Sequence, residues 1–148
     1  GMPVPIVLLN APGDTYWQSI DTFVRDTLIA RGLVAARDTA HYTIADSCEA
    51  AAAVIERFYS NYHSIRFVGD TLVIRMQHAP TASQLDDLNE QFGHLATSGR
   101  IERVEPFRVE RRDDDHVDLT RLAFNFSKRG FSELITMIDM INGFEPTG

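Results

Sequence analysis

The apolar positions of the chain follow two grammars, divided near residue 62. In the first part, Ile6 to Leu9 (Ile6, Val7, Leu8, Leu9) is an uninterrupted aliphatic run, the pattern of a strand covered on both faces. Ala11-Pro12-Gly13 interrupts it as a turn, and Asp14 is a good helix cap because its carboxylate can take the free amides of the next turn. Trp17, Ile20, Val24 and Leu28 then recur at helical spacing, and Gly32 is placed to end that helix in the left-handed conformation. His41 to Ala45 reads as a second short strand. Asp46-Ser47-Cys48-Glu49 reads as a capping box, and Ala51, Val54, Ile55, Phe58 and Tyr62 form the apolar stripe of the next helix.

Beyond Tyr62 the period changes from helical to alternating. Residues 64–68 and 71–76 flank Gly69-Asp70, a two-residue turn suited to the twist of a hairpin. Pairing Val68 with Thr71 sets Phe67 against Leu72 and Ile65 against Ile74 on one face, and leaves Arg66, Val73 and Arg75 on the other. Thr81 with Gln84 is a second capping box, Leu85, Leu88, Phe92 and Leu95 its apolar stripe, and Gly99 its stop. Residues 101–111 look strand-like but contain Pro106, which cannot donate to a ladder and implies an edge or a bulge. A loop at 112–118 leads to a strand at 119–126 with Thr120, Leu122, Phe124 and Phe126 inward, then to a last helix ending at Asn142-Gly143. The expected fold class is α/β: a β-α-β-α segment over 2–62, read as the tail of a Rossmann-like parallel sheet. A ββαββα domain over 63–148 completes the chain, with a four-stranded, mostly antiparallel sheet and two helices on one face.

Residues 5–10, Pro-Ile-Val-Leu-Leu-Asn, with the glycine-containing turn, Tyr16 and a helix ending in Arg31-Gly32-Leu33, resemble the late strand–helix unit of the Lonely Guy family. These are Rossmann-like nucleotide-binding proteins whose characterised members are cytokinin nucleoside monophosphate phosphoribohydrolases. Residues 58–75 resemble the segment C-terminal to that unit in longer bacterial members with an extra C-terminal domain. The resemblance implies a nucleotide-binding turn at Asn10, Gly13, Asp14 and Tyr16. It also implies that the family's Pro-Gly-Gly-x-Gly-Thr-x-x-Glu signature would lie upstream, for no Gly-Gly pair occurs in this sequence. Phosphate binding needs glycine-rich amides converging on a helix N-terminus, and Asp14 would repel an anion there.

Charge and composition narrow the chemistry. A net charge of −7 over 148 residues argues against nucleic acid or anionic membrane as the main partner. No apolar run reaches a membrane-spanning length. Cys48 is the sole cysteine, which excludes an internal disulfide and points to a reducing, cytoplasmic setting. Gly1 before Met2 reads as an expression scar, with no secretory signal behind it. The run 111–118, with three consecutive aspartates and His116, admits a divalent cation by ligand type, but its spacing matches no known metal loop and suits a solvated connection. Neither a metal nor a cofactor is expected.

Ten of the fourteen basic residues come after residue 64, against fourteen acidic ones. Arg66 and Arg75 share one hairpin face, which Arg121 can join. That face reads as a docking surface, as a solvated set of ion pairs or, with less support, as an RNA platform, since the nearby aromatics fall in register with the core. The expected function is a non-catalytic assembly or regulatory portion of a Lonely Guy-like nucleotide-binding protein. The alternative is a phosphoribohydrolase-type enzyme completed by an upstream segment or by oligomerisation. Expected partners are a second copy of the chain or a Rossmann-like segment, met through Ile6, Val7, Leu8 and Leu9 and through Arg66 and Arg75, with nucleotide bound only once the sheet is complete.

Overall fold

The computed structural model describes residues 2–146 and is of mixed α/β class. It divides into two compact units, Val4–Phe58 and a second one of residues 59–146 with 2–3.

The first unit holds β1 (Val7–Leu9), α1 (Tyr16–Phe23), β2 (Thr43–Ala45) and α2 (Cys48–Phe58). β1 and β2 pair in parallel, Val7 with Thr43, Leu8 with Ile44 and Leu9 with Ala45, and make a two-stranded sheet. The helix begun by α1 widens into a π-helical stretch over Val24–Ile29 before Gly32, at φ +70°, ends it. Contrary to the expectation of a strand covered on both faces, Ile6 is 47% and Leu9 42% exposed. The reason lies in the extent of the sheet: two strands and two helices leave the aliphatic run with cover on part of its surface only. Ala45 is the only apolar residue of this unit among the described buried core.

The second unit is built around a four-stranded antiparallel sheet, order β3-β4-β6-β5, of β3 (Tyr62–Val68), β4 (Thr71–Met76), β5 (Glu102–Val104) and β6 (Thr120–Asn125). Its helices are α3 (Ala82–Phe92), α4 (Arg108–Arg112) and α5 (Phe131–Asn142). The hairpin has the register that alternation predicts, Ile65 opposite Ile74 and Phe67 opposite Leu72, and the ladder continues with Leu72 opposite Phe124 and Ile74 opposite Leu122. Gly69 takes φ +62°, the positive value that the first residue of a tight II′ hairpin turn needs. α3 is closed by the expected capping box: Thr81 Oγ1 accepts from Gln84 N and Gln84 Oε1 from Thr81 N. Leu88 and Phe92 of α3 and Leu134, Met137, Ile138 and Ile141 of α5 are buried in this core. Two asparagines tie the ends together. Asn142 Oδ1 accepts from the amides of Asn61 and Tyr62, and Asn89 bonds both the N–H and the C=O of Ile101.

The strand expected over 101–111 stops at Val104, before Pro106, and the chain then turns into the five-residue α4. Among the described residues, no helix is long and apolar enough to cross a membrane.

Candidate functional site

Of the sequence-predicted ligand residues, Asn10 lies at the C-terminal end of β1, beside that of β2, and Gly13, Asp14 and Tyr16 follow in the turn and helix start beyond it. A cleft of about 320 Å³ opens there, lined by Leu9, Asn10, Ala11, Pro12, Asp46, Ser47 and Cys48. In parallel α/β sheets this is the end at which ligands bind, because strands hand the chain to helices there.

Asn10, only 4% exposed, organises the site. Its Nδ2 donates to Gln18 Oε1 (2.6 Å) and to Asp46 Oδ1 (3.0 Å), and its Oδ1 accepts from Trp17 N at 3.1 Å. It therefore caps α1 and joins the two strand ends through Asp46. Asp14 Oδ1 accepts from the amides of Thr15 and Tyr16 at 2.7 and 3.1 Å. Gly13 supplies the turn with φ +79°, and Tyr16 stands 57% exposed with its ring edge-on to Trp17. The amides of Thr15, Tyr16 and Trp17, which an anion at this helix start would need, are thus already bonded to side chains. The carboxylate of Asp46 beside them adds negative charge to the cleft. The chemistry on offer is recognition of a neutral or cationic polar group through Asp46 and Ser47, rather than of a phosphate.

Asp46 does not cap α2, as its sequence position suggests. Its carboxylate is drawn to Asn10 and Gln18, and the cap passes to Ser47, whose Oγ accepts from Ala50 N at 3.0 Å. Cys48, an exposed free thiol, opens the helix.

In the second unit, alternation puts Arg66, Arg75 and Arg121 on one sheet face, but this face is not open to solvent or a partner as expected. The chain's own residues 107–119 cover it. Arg75 is 3% and Arg121 1% exposed, and both donate to Glu110 Oε1, at 3.0 and 2.5 Å. Glu110 is fully buried, and its second oxygen accepts from Phe107 N. Arg75 Nη2 also reaches Asp115 Oδ2 at 2.7 Å, and Arg66 spans Asp115 and Asp113 at 2.6 and 2.8 Å. Arg121 further donates to the carbonyls of His116 and Leu119. Burial of Arg75 is explained by this pairing, since a buried guanidinium is tolerated only when carboxylates neutralise it. The Nε atoms of Arg75 and Arg121 are buried without a hydrogen-bond partner.

Arg66 shares Asp115 Oδ2 with Arg75, and its guanidinium holds Asp113 and Asp115 below the ordinary carboxylate range, chiefly by hydrogen bonding. The acidic run thus spends two of its aspartates on arginines of the sheet, and among the described residues no three histidine, cysteine or acidic side chains converge as a metal set. Sequence reasoning misses Glu110, Asp113 and Asp115 as partners; the one available signal is a charge-balanced pairing of that run with the hairpin arginines. Comparison of the chain with protein-family models, with curated proteins and with solved structures finds no match.

Proposed function

We propose that the chain is a non-catalytic assembly element, whose Val4–Phe58 unit contributes a strand–helix–strand–helix edge to a larger parallel α/β sheet. One observation carries this reading. Every exposed large hydrophobic residue among those described lies between Met2 and Tyr59, and Val4, Ile6, Leu9, Tyr16, Ile20, Phe23, Leu33 and Ile55 all belong to the first unit. Apolar surface concentrated in this way marks association. An aliphatic strand in a two-stranded sheet also offers unpaired backbone to another strand. The resemblance to Lonely Guy-type proteins gives the class of body that would complete the sheet, a Rossmann-like one, supplied by a second copy or by a separate segment. The cleft beside Asn10 would then lie within a completed sheet, which makes a small neutral or cationic polar ligand there a property of the assembly, with any nucleotide held by the completing body. Filled amides at the start of α1 support the non-catalytic reading.

Sedimentation velocity over a wide concentration range tests it. Self-association is expected, and it should be lost in Ile6→Lys and Leu9→Lys, which place charge at the two ends of the exposed aliphatic run. A strict monomer that also fails to bind a Rossmann-like body, with β1 amides exchanging freely, would overturn the reading.

A further inference from the structure

Residues 113–118 lie over the sheet as a strap whose start is bonded to α4, the Asp115 amide donating to the Glu110 carbonyl at 2.9 Å, whose side chains hold it by ion pairs and whose backbone is bent. Asp115 and Asp113 clamp Arg66, and Asp115 also reaches Arg75. Asp114 and His116, at φ 48° and 50°, occupy the left-handed region that residues with a Cβ rarely adopt. The docked strap is thus held against its own conformational preference.

His63, on β3, faces this strap with its ring centroid 4.4 Å from that of His116. A short chain of bonds ends on its ring. Arg75 Nη1 donates to Ser64 Oγ at 3.1 Å, and Ser64 Oγ lies 2.9 Å from His63 Nδ1. A guanidinium can only donate, so the serine hydroxyl hydrogen can be given to Nδ1, and in the tautomer that accepts it the ring is neutral. Protonation of His63 would turn that bond round, strip the serine hydrogen of its acceptor and place a cation beside His116 and Arg75. Around His63 stand Arg75 from β4 and His116, Asp115 and Asp118 from the strap. Burial first, then His116 and Arg75, hold its imidazole below the ordinary value of 6.5, outweighing the two aspartates.

We infer that His63 makes the strap a proton-gated latch, closed while its ring is neutral and released in mild acid to uncover the guanidinium groups of Arg66 and Arg75. The open state binds the proton more readily than the closed one. Closure is therefore at full strength above the ordinary imidazole value and weakens as pH falls below it. Release stops short of the core: Arg75 and Arg121 both keep Glu110, and Arg121 keeps the Leu119 carbonyl while giving up that of His116.

Hydrogen exchange of the whole chain, compared at about pH 7.5 and about pH 5.5 after correction for intrinsic rates, tests the latch. Exchange in 113–118 is expected to become several-fold faster in acid while β4 and β6 stay protected, and His63→Gln should abolish that difference while keeping the strap protected near neutrality. NMR titration of the wild-type His63 ring gives a second readout that needs no variant, and a midpoint below the ordinary imidazole value is expected. An unchanged strap in acid, a response that survives in His63→Gln, parallel loss of protection in β4, or a His63 midpoint at or above the ordinary value would each overturn the inference.

Discussion

Glu110 is the residue on which most charge depends, because one of its oxygens accepts from two buried arginines. Glu110→Gln keeps the shape but takes from the buried Arg121 its carboxylate and leaves Arg75 with Asp115 alone, and should cost about 3–5 kcal/mol in urea unfolding of the second unit. Arg75→Ala should be costly for the converse reason. Arg66→Ala, at a side chain 24% exposed, should cost far less than either buried change. Equal losses at Arg66 and Arg75 would contradict the burial difference between them. In the first unit, Asn10→Ala removes a helix cap and the bridge to Asp46, and a loss of about 1–2 kcal/mol is expected in the denaturation of that unit.

At the level of elements, sequence reveals whatever a short window determines. The β3–β4 register is legible because period-two alternation and Gly69-Asp70 agree, and a one-residue slip would turn every core side chain outward. The α3 capping box is legible for the same reason, since Thr81 and Gln84 are three residues apart. The Asp46 cap is misleading in sequence because its competitor, Asn10, is 36 residues away. Cover over the hairpin arginines is illegible because Arg66 and Asp113 are separated by 47 residues and no periodicity links them. In the cleft, the turn residues are visible in sequence but the bridge through Asp46 is not. Gly130 offers a test at this scale. It sits at φ +86° before α5, and a Cβ there would stand 3.1 Å from Leu95 Cδ2. Gly130→Ala should therefore destabilise the second unit by about 1–2 kcal/mol in urea, whereas a neutral or stabilising result would mean that the backbone there is free to relax.

Over the whole molecule, two units with unequal cores carry unequal electrostatics. Asp113 and Asp115 in the second unit have folded carboxyls held below the ordinary value of 3.8. Their pairing contributes stability that is complete above that value and declines as pH falls through it toward the folded titration. The urea midpoint of the second unit should drop across that acid range, and Arg66→Gln should flatten the dependence. Asp21, held low by Tyr42 and Arg25, gives the first unit the same sign. The position of Trp17 has an optical consequence. It is the only tryptophan in the chain, and its Nε1 donates to the Leu9 carbonyl inside the first unit. Indole fluorescence is consequently a reporter for Val4–Phe58 alone, whereas far-ultraviolet circular dichroism averages over both units. The emission transition should precede the ellipticity transition in urea, because the reporter sits in the unit with the sparser core, and a single two-state fit to either signal would describe only part of the chain.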